Sequence, residues 1–295
     1  MLCIAYASRV KLRRDAVLGT TLAMTRISWA HAVLFTLAAG SVAGAAPKPI
    51  HAKAPKTDVS RLATALSGTD PELAAKAADD LGESPDPAAH DALLDALAFG
   101  LAPSVAVPAM LAVVGHPAPP DVVALRRYAG HRQPSVRGAA LNALAAYPDP
   151  LAHAAIVTGL HDPTGIVRAQ AANAAAKGRV REAYDPLFAL LDRGEESAAK
   201  ALAELADPDL ARRIGDHLGK APDPMLAECL GLVLRRADFG PDSARVDIVR
   251  AIAKISDASA VDQLTQYVDG TPKTPPRESR KEAQKVIDAR LGGGK

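Results

Sequence analysis

Two His-Asp pairs, His90-Asp91 and His161-Asp162, are the residues of this sequence whose types could support chemistry. Imidazole nitrogens and carboxylate oxygens bind divalent metal ions, and a metal-bound water can attack a phosphate ester. Such a site needs further ligands that converge on the same ion. The two pairs are separated by more than two of the repeats found along the chain, so we predict that both occupy turn or surface positions.

The remaining candidates for catalysis or ligand binding are scattered along the chain. The other histidines show neither the C-x-x-C nor the H-x-x-x-H spacing that is typical of zinc sites. No Gly-rich phosphate loop and no nucleophile-elbow motif is present. Cys229 lies in an apolar stretch and is interpreted as a small core residue. We therefore predict no metal site, no cofactor and no catalytic set.

The elements that must position these side chains are predicted to be helical. Alanine makes up about a fifth of the 295 residues, whereas aromatic residues make up only 3%. Alanine is the strongest helix former and adds little bulk, and runs of β-branched residues are few. This composition predicts an all-α fold in which helices approach one another closely.

Residues 1–46 are interpreted as a signal peptide. Arg26 precedes the apolar stretch 27–40, and Ala43-Gly44-Ala45 forms an A-x-A-type cleavage site. This pattern predicts cleavage near Ala45 and a periplasmic or secreted location. An uncleaved N-terminal anchor, giving a membrane-anchored protein, is the alternative. Residues 47–57, with three prolines and three lysines, are predicted to form a flexible linker.

The leader also changes the charge of the protein. The whole chain carries a formal charge of +2, but residues 1–46 contain five basic residues against one acidic residue. Cleavage leaves 30 basic and 32 acidic residues, a formal charge of −2. This balance argues against nucleic acid as a partner. A membrane contact is expected only if the leader is retained.

Residues 58–291 contain imperfect helical hairpins. The second helices of successive hairpins are predicted to begin near five residues spaced 32, 31, 29 and 32 apart, namely Pro71, Pro103, Pro134, Pro163 and Glu195. A single hairpin cannot bury its own apolar face, so a steady period predicts an α-solenoid of about six to seven stacked hairpins. Pro108 is predicted to kink or break its helix.

The end of the array is less regular. Residues 243–255 are predicted to form a helix without an obvious partner, and 258–268 to pair with the charged helix 277–291. One side of this last helix carries Ala283, Val286, Ile287 and Leu291, which suits a terminal cap. Residues 292–295 are predicted to form a disordered tail.

The pattern resembles HEAT repeats, in particular the short bacterial type related to phycobilisome-lyase repeats. The resemblance rests on Asp162-Pro163 with Val167-Arg168-Ala169, and on the segments 133–144 and 255–264. It implies a right-handed stack in which the second helices line a concave face. It also implies a ladder, in which a turn Asp and an Arg six residues later join neighbouring units.

Three places in the sequence fit the ladder spacing to different degrees. Asp162 and Arg168 match it, Asp70 and Lys76 match it with Lys in place of Arg, and Arg137 supplies the basic partner only. These five residues are predicted to be structural rather than catalytic.

The leading functional hypothesis is therefore a non-catalytic exported scaffold that binds another protein along the concave face. An exposed aromatic residue would be its best anchor. The rival hypothesis, implied by the repeat subtype, is a HEAT-type enzyme or chromophore-lyase-like protein with a small-molecule pocket. The oligomeric state and the identity of the partner stay open.

Trp29 is the sole tryptophan of the chain and lies inside the predicted leader. We therefore expect protein purified from the exported fraction to show no indole fluorescence, with an N-terminus just after Ala45 by mass spectrometry. The full-length precursor retained in the cytoplasm is the control. Indole emission from the exported form would rule out cleavage.

Overall fold

The computed structural model describes residues 58–292, and these fold into fifteen α-helices and one short 3₁₀ helix at Arg181–Ala183. The α-helices are α1 (Val59–Leu66), α2 (Pro71–Gly82), α3 (Pro87–Phe99), α4 (Pro103–Val113), α5 (Asp121–Ala129), α6 (Pro134–Leu144), α7 (Pro150–Gly159), α8 (Gly165–Lys177), α9 (Tyr184–Asp192), α10 (Glu196–Leu205), α11 (Pro208–Gly215), α12 (Asp223–Arg235), α13 (Asp242–Ala253), α14 (Ser259–Gly270) and α15 (Glu278–Gly292). The predicted leader and linker, and residues 293–295 of the predicted tail, lie outside the described residues, while Gly292 ends α15.

The helices form two rows. Each even-numbered helix packs on the next even-numbered one, from α2 through to α14. In the first row, α1 packs on α3, α3 on α5, α5 on α7, and α11 on α13, while α7 packs on the 3₁₀ helix that precedes α9. Seven hairpins are thus stacked side by side, each with one helix in each row. The predicted all-α solenoid is confirmed for the described part of the chain.

Asp-Pro steps begin four of the helices for one physical reason. The side chains of Asp70, Asp86, Asp149 and Asp207 accept hydrogen bonds from backbone N–H groups of the first turn. The proline that follows each Asp lacks an N–H, which would have no partner in the first turn anyway. These caps explain why helix starts could be read from the sequence.

Two predicted helix features differ from the structure. The α8 helix begins at Gly165 with Thr164 as its N-cap, two residues later than predicted, because Asp162 caps the turn rather than the helix. Pro108 was predicted to kink or break its helix; α4 runs from Pro103 to Val113 with Pro108 inside it, so the helix is not broken there. Packing against α2 and α6 holds α4 helical despite the lost backbone hydrogen bond.

The predicted pairing of 258–268 with 277–291 is confirmed, because α14 packs on α15. The helix at 243–255, predicted to have no obvious partner, is α13, and it has partners in both rows. The α13 helix packs on α11 in the first row, and α14 packs on α12 in the second row, so these two helices form the seventh hairpin. The α15 helix packs on both of them and closes the first row alone. Its buried apolar residues are Ala283 and Ile287, whereas Leu291 is 70% exposed and contributes nothing to the predicted cap.

Small residues set the distance between the rows and within them. Alanines from every second-row helix lie in the core together with leucines and valines. A Cβ atom added at Gly82 of α2 would lie 2.7 Å from the Cβ and 2.9 Å from the Cα of Ala112 in α4. Glycine is required at this position because the backbones of α2 and α4 nearly touch there.

We expect Gly82→Ala to lower the free energy of unfolding by about 1–3 kcal/mol, because the added methyl group overpacks a backbone contact. Gly270→Ala is the matched control, since a Cβ there meets nothing within 4 Å. Urea denaturation followed by circular dichroism measures both variants. Equal stability of the two variants would show that the α2–α4 contact is not close-packed.

Candidate functional site

Phe99, the last residue of α3, is almost fully exposed to solvent, at 95%. The other aromatic residues of the described chain serve the interior or its margin, and they are Tyr128, Tyr147, Tyr184, Phe188, Phe239 and Tyr267. A phenyl ring in water forgoes the hydrophobic stabilisation that burial would provide. Phe99 therefore meets the criterion that the sequence suggested for an anchor residue.

The turn that carries Phe99 is held by the neighbouring hairpin. The Tyr128 hydroxyl of α5 donates to the Leu97 carbonyl at 3.0 Å and accepts from the Leu101 N–H at 3.1 Å. Arg127 Nη1 donates to the Ala98 carbonyl at 2.7 Å. Three backbone groups on both sides of Phe99 are thus fixed, so its backbone is presented on an ordered turn.

The next turns along the same edge are joined by a charged rung. Arg137 of α6 binds Asp162 with two hydrogen bonds, Nε to Oδ2 at 2.7 Å and Nη2 to Oδ1 at 2.8 Å. Its Nη1 donates to the His131 and Arg132 carbonyls of its own turn. One guanidinium therefore holds its own turn and the turn of the following hairpin together.

A second rung repeats this geometry one hairpin later. Arg168 of α8 binds the Glu195 carboxylate through Nε at 2.9 Å, and its Nη1 donates to the Asp162 carbonyl at 2.9 Å. Asp162 and Arg168 thus lie on successive rungs rather than forming one pair. Arg137 and Arg168 each stand four residues after the N-cap of their helix, at Gln133 and Thr164.

The pair of Asp70 and Lys76 does not reproduce this arrangement. Asp70 is itself the N-cap of α2, so Lys76 lies six residues after the cap instead of four. Two residues rotate a side chain by about 200° around a helix, which turns Lys76 away from the rung direction. Lys76 is exposed and makes no ion pair within the described range 58–292.

Beyond the second rung, the edge continues with a histidine. His217, just after α11, bonds Asp192 at the end of α9 through Nδ1 at 2.7 Å. Its ring stacks on Phe188 with the centroids 4.3 Å apart. We call the whole series, from the Phe99 turn to His217, the turn edge.

The two His-Asp pairs of the sequence are separated by the fold. His90 bonds Asp121 of the next hairpin, Nε2 to Oδ1 at 2.8 Å, instead of its neighbour Asp91. Asp121 is fully buried and also accepts from the Tyr147 hydroxyl and the Ala118 N–H, both at 2.7 Å. Burial, and then the bond to Asp121, raise the pKa of Tyr147 above its usual value. This network was not foreseen, because its members lie 26 and 31 residues apart.

His161 has a different role from His90. It is exposed, and its Nδ1 lies 3.1 Å from the Val157 carbonyl of its own helix. The predicted turn and surface position therefore describes His161, whereas His90 belongs to a buried network.

Three further findings concern chemistry and membranes. Cys229 is buried, and burial raises the pKa of its thiol. Within residues 58–292, no three His, Cys, Asp or Glu side chains are grouped so as to hold a metal ion. In the same range, no helix combines the length and apolarity needed to cross a membrane.

Comparisons with known proteins find only distant similarities to solved structures. Neither a family model nor a curated protein matches the chain. The complex of CpcE and CpcF of phycocyanin lyase from a Nostoc species is similar at 18% identity, with a TM-score of 0.43, over 85% of this chain and 99% of that one. Kap121p is similar at 16% identity, with a TM-score of 0.46, over 78% of this chain and 29% of that one. The chain thus spans less than a third of Kap121p. An engineered protein is similar at 22% identity, with a TM-score of 0.33, over 81% of this chain and 98% of that one.

We expect Asp162→Ala to lower the free energy of unfolding by about 1–2 kcal/mol, because Asp162 accepts from Arg137 and from the Thr164 N–H. A double-mutant cycle with Arg137→Ala isolates the coupling between the two side chains. Asp209→Ala, which removes an exposed pair with Arg212, is the control and should cost far less. Additive effects at Asp162 and Arg137 would exclude the rung.

The same variant should show a defined pH dependence. The bond to Arg137 lowers the pKa of Asp162 below its usual value. A lowered folded-state pKa means that the stabilisation is complete above about pH 4, the unfolded value, and is lost as pH falls through the folded value. The difference in stability between wild type and Asp162→Ala should therefore shrink only on acidification below about pH 4.

Proposed function

We propose that the chain is a non-catalytic, exported scaffold that binds another protein, with Phe99 as the anchor of the interface. The single observation that carries this proposal is the 95% exposure of Phe99 on a turn that Tyr128 and Arg127 hold in place. Interface anchors are characteristically aromatic residues that enter a pocket of the partner. Fully burying a phenylalanine side chain contributes on the order of 1.5–3 kcal/mol.

The ordered turn supports this role because it reduces the entropic cost of binding. A loop that must be ordered on association consumes part of the binding energy, whereas a pre-ordered loop does not. The backbone on both sides of Phe99 is already hydrogen-bonded to α5. Only the side-chain torsions of Phe99 remain to be fixed by a partner.

The charges beside Phe99 indicate the chemistry of the partner. Arg126 and Arg127 lie in the last turn of α5, and Arg127 also donates to the Phe99 turn. Arg132 follows in the next turn. All three are exposed. The complementary surface is an apolar pocket with an acidic rim, since such a rim steers association and fixes orientation. This location differs from the concave face that the HEAT resemblance implied.

Export completes the proposal. The tripartite leader at residues 1–46 and the formal charge of −2 that remains after its removal support a periplasmic or secreted protein whose partner is not a nucleic acid. A membrane-anchored form is the alternative if the leader is retained.

The second candidate function is a small-molecule enzyme, which one observation favours. His90 is oriented by the buried Asp121 and lines a cleft of about 270 Å³ together with Asp91 and His116. A histidine oriented by a carboxylate can act as a general base. Turnover that is lost in His90→Gln at unchanged stability would favour this candidate over the scaffold.

We expect Phe99→Ser to weaken partner binding by about 10- to 100-fold, the loss of roughly 1.4–2.8 kcal/mol, without lowering stability. A photo-crosslinking residue placed at Arg132 identifies the partner in the native cell, and the purified pair is then measured by calorimetry. Leu111→Ser is the matched control, because Leu111 is also exposed, at 60%, but lies in the second row. Unchanged affinity of Phe99→Ser, or equal losses in both variants, would contradict an anchor at Phe99.

A further inference from the structure

A cavity of about 410 Å³ at the C-terminal end of the array is lined by four arginines and by no acidic residue. The arginines are Arg235, Arg236, Arg245 and Arg277, and they come from the end of α12, from α13 and from the segment before α15. The remaining lining includes Tyr267 and Thr271. Its residues are entirely different from those of the Phe99 turn.

Arg245 is the central observation. Its side chain belongs to a residue that is only 6% exposed, yet it makes no ion pair with any carboxylate of residues 58–292. Its Nη groups donate to the Gly240 and Arg236 carbonyls, both at 2.8 Å, and its Nε has no partner there. The Phe239 ring, 5.7 Å away, gives partial compensation by a cation–π contact. A buried charge without a counter-ion is costly.

The rungs of the turn edge show what Arg245 lacks. Like Arg137 and Arg168, Arg245 stands four residues after the N-cap of its helix. Arg168 binds Glu195, the residue that precedes the next helix of its row. The next helix after α13 in its own row is α15, and the residue that precedes α15 is Arg277. A basic residue thus stands at the position that Glu195 holds in the second rung.

The nearby carboxylates leave a net positive charge. Asp238 pairs with Arg236 at 2.7 Å, and Asp242 accepts from Ser279 and lies within electrostatic range of Arg277. Arg235 donates to the neutral side chain of Gln263. Burial lowers the pKa of Arg235, and the negative charge of Glu228 opposes this effect. Three of the four arginines therefore lack a paired carboxylate, which points to an anion of more than one charge.

We propose that this cavity is a binding site for a small molecule that carries a phosphate group. A doubly charged tetrahedral oxyanion matches the planar forks of several guanidinium groups, which bind phosphate oxygens in pairs. A cavity of this size accommodates a small organic ligand rather than an ion alone. The phosphate takes the place of the missing rung carboxylate between Arg245 and Arg277.

The first test is titration of the full chain with inorganic phosphate and with glycerol 3-phosphate by calorimetry, at constant ionic strength. Both ligands should bind wild type, and Arg277→Gln and Arg235→Gln should each weaken binding by about tenfold or more. Tighter binding of the ester assigns an organic phosphate, and equal binding assigns free phosphate at the same site. Arg61→Gln, an exposed arginine of α1 outside the cavity, should leave affinity unchanged.

The second test uses Arg277→Glu, which restores an acid at the rung position. This variant should abolish phosphate binding, because it replaces a cation of the cavity with an anion that repels phosphate. In wild type, phosphate should itself raise the melting temperature, since it binds only the folded state. Absence of heat in wild type, equal affinity in Arg277→Gln, or equal loss in Arg61→Gln would overturn the proposal.

Discussion

The links between successive hairpin turns are the interactions on which the rest of this structure depends. An alanine-rich interface buries little area, so apolar packing alone holds neighbouring hairpins in register weakly. A bidentate Arg137–Asp162 pair has a fixed planar geometry and tolerates little sliding. Each rung arginine also binds carbonyls of its own turn, so the contact between units orders the loops at the same time.

Arginine serves this architecture in a second way. Arg236 donates to the Ala203 and Ala206 carbonyls, and Arg290 donates to the Ala253 and Ile255 carbonyls. The last carbonyls of a helix have no partner within it and carry the negative end of its dipole, so a cation is favourable there. The Phe99 turn depends on the same type of tie, through Arg127.

Local physical rules made part of this protein readable from its sequence. The Asp-Pro steps at Asp70, Asp86, Asp149 and Asp207 mark helix starts because the cap and the proline act within one turn. The alanine content and the period near 31 residues determined an all-α stack, since a hairpin that cannot bury its own face needs neighbours. The need for an exposed aromatic anchor could be stated, but not which aromatic residue was exposed.

Only the tertiary structure decided which side chains meet. Arg137 finds Asp162 25 residues away, and His90 finds Asp121 31 residues away, although an acidic residue follows His90 directly. The partners of α13 were not read from the sequence, because α13 starts at Pro241-Asp242, without the Asp-Pro order that marks earlier boundaries. Helix starts are fixed by atoms within one turn, whereas these partners are fixed by the stacking of whole hairpins, which spacing along the chain does not encode.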